Sequence, residues 1–260
     1  MKEFALITGA SKGIGKCFAA ELASMGYNLI LVARSESELN TLAEELRQKF
    51  TIKAEVLALD LSASDSACKL YSFTESRGWP ISILINNAGY GIFGNFETSD
   101  LDANIKMLQV NMLTLSNLCH LYIPILKKQT KGYILNVAST AAYQSVPQLN
   151  NYSASKAYVL SFSRGLAYEL KDSSIQVTCL CPGSTKTDFM DRAGMTNPKI
   201  VATAEKLGMT AQEVAKDGLK AMFKGTKEYI PGFGNWIGAF ANRLLPKSMV
   251  ENIAAGLYKE

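Results

Sequence analysis

Histidine is almost missing from this chain: among 260 residues there is one, His120. A metal centre built on several imidazoles, or a pH switch built on clustered histidines, is therefore excluded, and no metal is expected. Cysteine is sparse and odd in number. Cys17, Cys68, Cys119, Cys179 and Cys181 have no Cys-x-x-Cys spacing that would hold zinc or form a redox pair. They read as free thiols, which points to a reducing, cytoplasmic compartment. No run of four basic residues occurs and the net charge is only +4, so neither nucleic acid nor an anionic membrane is an expected partner. Long hydrophobic runs are missing as well. Nothing approaches the ~18 apolar residues of a membrane span, and the apolar start Phe4–Thr8 meets a glycine turn too early for a signal sequence.

What is present is the composition of a packed globular protein, 48% hydrophobic and 19% charged. Short β-branched apolar runs occur at Phe4–Thr8, Asn28–Val32, Ala54–Leu59, Ile81–Asn86, Gly132–Ala138 and Ile175–Leu180, with a weaker one at Glu228–Ile230. Helical patterns lie between them. In Glu36–Lys49, Leu39, Leu42, Ala43 and Leu46 fall at i, i+3, i+4 and i+7, with Ser35 as the expected N-cap. Near-continuous apolar strands alternating with helices predict an α/β fold, a doubly wound parallel sheet covered on both faces. No linker, charge block or repeat divides the chain, so one domain over 1–260 is expected. Two stretches break the alternation, residues 184–209 and the tail 231–260. Loops of that length commonly carry function.

The first strand runs into Thr8-Gly9-Ala10-Ser11-Lys12-Gly13-Ile14-Gly15, which opens a helix. Glycines at a strand-to-helix turn let a pyrophosphate approach the backbone, and the helix N-terminus offers free N–H groups and partial positive charge. The same residues spell Gly-x-Ser-x-Gly, the pattern of a nucleophilic serine. Only one strand precedes Ser11, however, and the sole histidine lies in an apolar helical run, so the dinucleotide reading is preferred. An NAD-preferring fold places Asp or Glu at the end of its second strand. Here Val32-Ala33-Arg34 has no carboxylate. Arg34, with Lys12 as a second cation, predicts NADP(H). Asp60 and Leu61, after the third strand, are candidate contacts for the adenine, although Asp60 also suits a local cap.

Tyr152 and Lys156 share one helix face at i, i+4. A phenol is a poor acid or base near neutrality, and an adjacent ammonium favours its ionised form. The Ser153-x-x-Lys156 pattern of an acylating serine lacks its companion Lys-Thr-Gly and Ser-Asp-Asn motifs. Taken in order, Thr8-x-x-x-x-Gly13-Ile14-Gly15, Asn86-Asn87-Ala88-Gly89, Asn111, Ser139, Tyr152-x-x-x-Lys156 and Pro182-Gly183-x-Thr185-x-Thr187 resemble the short-chain dehydrogenase/reductase family.

The resemblance implies a Rossmann-type sheet and hydride transfer between a nicotinamide and a carbonyl or alcohol. It implies Tyr152 as proton donor, Lys156 holding the nicotinamide ribose, and Ser139 bonding the substrate oxygen. Asn111 would anchor a water linked to Lys156. Asn87, Ala88 and Gly89 would pass near the adenosine, and Pro182, Gly183, Thr185 and Thr187 near the nicotinamide and phosphates. Family habit implies a homodimer or homotetramer. A looser likeness of the tail to hydroxysteroid dehydrogenases and long-chain ketoacyl reductases implies an acyl or ring ketone. Ala141, Ala142, Tyr143, Val146, Phe189, Met190, Met195 and Ile200 offer an apolar lining for such a substrate. The alternative function is a dinucleotide-binding sensor without turnover. In the tail, Phe233, Trp236, Ile237 and Phe240 are expected to pack in the core or an interface, ahead of a lid or a membrane contact.

Overall fold

A computed structural model of the chain describes residues 2–195, 202, 206 and 208–258. Six apolar segments and a short edge strand form one parallel sheet: β1 (Phe4–Thr8), β2 (Asn28–Ala33), β3 (Ala54–Ala58), β4 (Ile81–Asn86), β5 (Gly132–Val137), β6 (Ile175–Leu180) and the edge strand β7 (Glu228–Tyr229). Their order is β3-β2-β1-β4-β5-β6-β7. The chain winds outward from β1 to β3, then returns to the other side of β1, so the direction of winding reverses between β1 and β4. At such a switch point the carboxyl ends of two strands diverge into a crevice, the usual ligand site of a doubly wound sheet.

Alternate residues of each central strand point to opposite faces, and both faces are buried. From β1, Phe4 and Leu6 enter one core while Ala5 and Ile7 enter the other. The second core is covered by α1 (Gly13–Ser24), α2 (Glu36–Lys49) and α8 (Ala211–Phe223), through Phe18, Leu22, Leu39, Leu42, Val214 and Met222. The first is covered by α3 (Ser66–Glu75), α5 (Leu115–Leu126) and α6 (Asn150–Glu169), through Leu70, Leu118, Tyr122, Val159 and Leu166. Each fully buried Leu or Ile contributes about 1.5–3 kcal/mol. Sheet burial therefore dominates over any single loop contact in fixing the frame.

Three strands have the expected bounds, and the other four differ from the sequence expectation by one residue at their C-terminal ends, where the ladder gives way to turns. Ser35 precedes α2 as expected, but its hydroxyl accepts no backbone N–H of the helix and instead lies 3.5 Å from Ser37 Oγ. The start of α2 is served by Glu36 and Glu38, whose charge complements the helix dipole. Downstream, α4 (Leu101–Leu108) is capped by Asp100, whose carboxylate accepts the Ala103 N–H at 2.9 Å. It passes into α5 through a π turn, Gln109–Thr114, an irregularity that re-aims side chains. After β6 come α7 (Phe189–Ala193) and, past α8 and β7, α9 (Phe233–Leu244) and α10 (Lys247–Tyr258).

Of the core or interface packing expected for the tail, the core half is overturned: Phe233, Trp236, Ile237 and Phe240 are 77%, 48%, 46% and 46% exposed. The side of α9 turned inward carries Asn235, Ala239 and Asn242. None of the described helices is long and apolar enough to cross a membrane.

Candidate active site

The turn after β1 is held by a threonine. Thr8 Oγ1 accepts the N–H groups of Asn87 and Ala88, at 3.0 and 3.1 Å, and donates to Ile85 C=O. The Asn87 amide returns the tie, donating to Thr8 C=O at 3.0 Å and Gly9 C=O at 3.1 Å. These bonds hold the ends of β1 and β4 on either side of the crevice. Gly9 has φ +65°, and a Cβ on Gly15 would stand 2.1 Å from Gly9 C=O oxygen, so both glycines are obligatory. Lys12 occupies the N-cap of α1, and its side chain makes no cap bond. An ammonium has no lone pair to offer the helix, which leaves the N–H groups at Gly13, Ile14 and Gly15 for an anion. Thr187 folds over this turn; a Cβ on Gly13 would meet its Cγ2 at 3.2 Å.

Arg34, the residue after β2, is exposed and enters no ion pair among the described residues. Lys12, the expected second cation, is ion-paired in this structure. Its Nζ lies 2.8 Å from Glu38 Oε1 and 3.9 Å from Asp188 Oδ2. Lys12, and then the Ser11 hydroxyl, hold the Glu38 carboxyl below its ordinary range. Asp60 serves as a local cap, accepting from Ser62 N–H at 3.0 Å and Ser62 Oγ at 2.9 Å. Leu61 is buried, and its carbonyl accepts the Thr114 hydroxyl at 2.8 Å.

The Tyr152–Lys156 face of α6 looks onto the end of β5. Lys156 is 4% exposed, and its Nζ donates to Val137 C=O at 2.8 Å, two residues before Ser139. The ammonium sits 5.7 Å from the Tyr152 ring centre. Ser139 Oγ accepts the Ala141 N–H at 3.1 Å, which orients the hydroxyl and leaves its hydrogen available to donate. Tyr152 is 8% exposed in an apolar nest with Met107, Val146, Leu149, Ala193 and Met195, its ring 5.2 Å from that of Phe189. Ala141 and Met190 pack on the same nest. Ala142 and Tyr143 turn to another cleft, and Ile200 lies outside the described residues.

Asn111, in the π turn, is fully buried. Its Oδ1 accepts Tyr90 N–H at 3.1 Å, while Nδ2 donates to Tyr90 C=O and Ser155 Oγ, both at 3.0 Å. The loop after β4 is thereby pinned to α6. A Cβ on Gly89 would meet Asn111 Oδ1 at 3.0 Å and Lys156 Nζ at 3.2 Å, so the chain passes closely over both. After β6, the Pro182 carbonyl accepts the Thr140 N–H at 2.8 Å. Thr185 donates to Gly183 C=O, and Thr187 accepts the Phe189 N–H, so these hydroxyls shape their own turn.

Burial pushes Lys156 down to about 8, against a weaker opposing influence of the Cys179 and Cys181 thiols. The folded protein thus holds this proton less tightly than the unfolded chain, whose lysine titrates near 10.5. Between those values the unfolded state binds more protons, so this group's contribution to stability increases with pH across that window. A Lys156→Met variant is expected to lose ground to wild type from pH 8 toward 10 in urea unfolding. A difference that stays constant with pH would mean that Lys156 titrates normally.

Sequence reasoning overlooked a buried polar ladder beneath the site. Asn86 Nδ2 donates to Asn136 Oδ1 at 2.9 Å and to Cys119 Sγ at 3.3 Å, and Asn136 Nδ2 donates to Ser163 Oγ at 3.0 Å. An asparagine inside each of two apolar strands was the available signal. Burial raises the Cys119 thiol to about 12, which makes it inert. The nucleophilic-serine alternative finds no support, since His120 is exposed on α5 and Ser11 contacts Glu38. Among the described residues no cluster of His, Cys, Asp and Glu is arranged to hold a metal.

The profile of a family described as short chain dehydrogenase matches residues 3–198. The very-long-chain 3-oxoacyl-CoA reductase of Mus musculus is 36% identical over 184 residues, 69% of this chain and 58% of that protein. The chain thus spans a little over half the length of that relative. The 7beta-hydroxysteroid dehydrogenase of Clostridium sardiniense is 32% identical over 222 residues, 85% of this chain and 83% of that one. A short-chain dehydrogenase from Sphingobium yanoikuyae, solved in complex with NADPH, superposes with a TM-score of 0.81 at 30% identity. That match covers 93% of this chain and 94% of the other.

Proposed function

The chain belongs to the short-chain dehydrogenase family, and from that premise we propose that it is an NADP(H)-dependent oxidoreductase that reduces apolar ketones or aldehydes. The observation that carries this reading is the convergence on Lys156. One buried ammonium touches the carbonyl that leads to Ser139 and stands beside the Tyr152 ring.

The residues around the first turn fit a dinucleotide. The uncapped start of α1 and the Gly9–Gly15 approach would take the pyrophosphate, with Asn87, Ala88 and Gly89 alongside. Pro182, Gly183, Thr185 and Thr187 would bound its nicotinamide half. When bound, the nicotinamide supplies or accepts the hydride. Tyr152 gives its phenolic proton to the substrate oxygen, and Ser139 donates a hydrogen bond to the same oxygen as negative charge develops there. Lys156 keeps positive charge beside the phenol and would hold the ribose of a bound cofactor. The side chain of Asn111 is committed to Tyr90 and Ser155, so a water linked to Lys156 falls to its main chain.

An apolar nest around Tyr152 suits an acyl or ring ketone, in keeping with the names of the two relatives. Free thiols fit a reducing, cytoplasmic setting. Assembly as a homodimer or homotetramer, through one domain, follows family habit.

Calorimetric titration with NADPH and NADH under identical salt tests the cofactor choice. NADPH is expected to bind about tenfold more tightly, or about 1.4 kcal/mol; equal or stronger NADH binding would overturn that choice. Because Glu38 occupies Lys12 in this structure, a 2′-phosphate has to compete with it. Glu38→Gln is therefore expected to tighten NADPH about threefold, the scale of an exposed ion pair, and to leave NADH within about twofold. An equal change for both cofactors would separate Glu38 from the phosphate.

A further inference from the structure

Helix α9 docks in an inverted manner. Asn235, Ala239 and Asn242 fall on one side of the helix, at steps of four and three, and Ala239 is 3% exposed. The aromatic side, Phe233, Trp236, Ile237 and Phe240, faces outward. A helix ordinarily docks by its apolar stripe. Here the inward side is a buried alanine, Ala239, flanked by two half-buried asparagines that make the hydrogen bonds.

Those contacts land on the two loops that flank the site. Asn235 sits against the turn after β6, where a Cβ on Gly183 would stand 2.2 Å from its Oδ1; its Nδ2 donates to Pro231 C=O, four residues back on its own segment, at 2.8 Å. Two turns later, Asn242 Nδ2 donates to Gln144 Oε1 at 2.7 Å. Gln144 ends the Thr140–Tyr143 turn that begins at Ser139, and α9 packs on that turn. The near ends of the two loops are joined already, by Thr140 N–H to Pro182 C=O. The far end of the Ser139 loop has another tie, from Tyr143 OH to Glu228 on β7 at 2.8 Å. Seven residues of helix span about 10 Å, so a single rigid rod sets how far apart the loops stand.

We infer that α9 is a clasp that fixes the spacing of the Ser139 loop and the Pro182–Gly183 turn, with Asn242 and Asn235 as positioning residues. The inference rests on the proposed function, in which the Ser139 loop carries the hydroxyl that bonds the substrate oxygen and the Pro182–Gly183 turn bounds the nicotinamide half beside it. The clasp acts on substrate fit rather than on proton transfer, since neither asparagine touches Tyr152, Lys156 or Ser139 by a hydrogen bond in the structure.

The test compares wild type, Asn242→Ala, Gln144→Ala and the double variant in the presence of NADPH. Hydrogen exchange over residues 139–146 is expected to rise about fivefold in each single variant. The double variant should add nothing further, as befits one shared bond. Exchange over 182–187 should stay unchanged in these variants and rise in Asn235→Ala. With cyclohexanone and ethyl acetoacetate as probe ketones, Asn242→Ala should raise KM about fivefold with kcat within about twofold. Unchanged exchange at 139–146, or a uniform rise across the chain with a lowered Tm, would overturn the clasp. Failure of wild type to reduce either probe would count against the proposed function, and the exchange pattern would then decide on the clasp alone.

Discussion

Tyr152→Phe is expected to lower the rate of NADPH-dependent ketone reduction by about 10²- to 10⁴-fold, the range for loss of a positioned proton donor. The ring should stay where it is. Tyr152 is 8% exposed and packed against Phe189, Val146 and Met195, so removing the hydroxyl alone leaves the packing intact. NADPH affinity is accordingly expected within about twofold of wild type, and Tm close to it. Single-turnover measurement of NADPH oxidation checks the rate, and calorimetry checks the binding. A loss smaller than about tenfold would take the proton-donor role from Tyr152. A wild-type protein that binds NADPH yet turns over no carbonyl would point instead to the sensor reading, and Tyr152→Phe would then leave its output unchanged.

The second large effect is expected at the end of β2. Arg34→Asp exchanges an exposed cation, free of ion pairs among the described residues, for the carboxylate that NAD-preferring folds use on the ribose hydroxyls. Hydrogen bonds to charged groups are worth about 1.5–3 kcal/mol, and the new anion adds repulsion of a 2′-phosphate. NADPH binding should weaken about a hundredfold, with NADH binding held or improved, as measured by parallel titrations at one ionic strength. Salt matters here because an exposed site is screened. Retention of the NADPH preference in this variant would assign the selection to Lys12 after displacement of Glu38. The Glu38→Gln titration decides that point independently.

The sequence carried much of this unaided. Strand period and helix period are local properties, so the β1–β6 runs and the Leu39–Leu42–Ala43–Leu46 stripe of α2 appear in the text of the chain and then in the structure. Glycine is similarly legible where no Cβ fits, as at Gly9 and Gly15. The Tyr152–Lys156 pair was visible because i, i+4 on a helix fixes a shared face before anything else is known.

What the sequence alone left open depends on partners distant in the chain. Lys12 reads as a free cation until folding brings Glu38, from another helix, to 2.8 Å. Asn136 reads as one polar residue in an apolar strand until register sets it beside Asn86. Ser35 has the right identity for a cap but the wrong side-chain partner. For the tail, helical spacing grouped Trp236, Ile237 and Phe240 on one face, and hydrophobicity argued that this face packs in the core or an interface. The fold turned it outward and bonded Asn242 to Gln144 instead. Periodicity determines which residues share a face. Which way that face turns is decided by what the other elements present to it, and that is information only the tertiary structure holds.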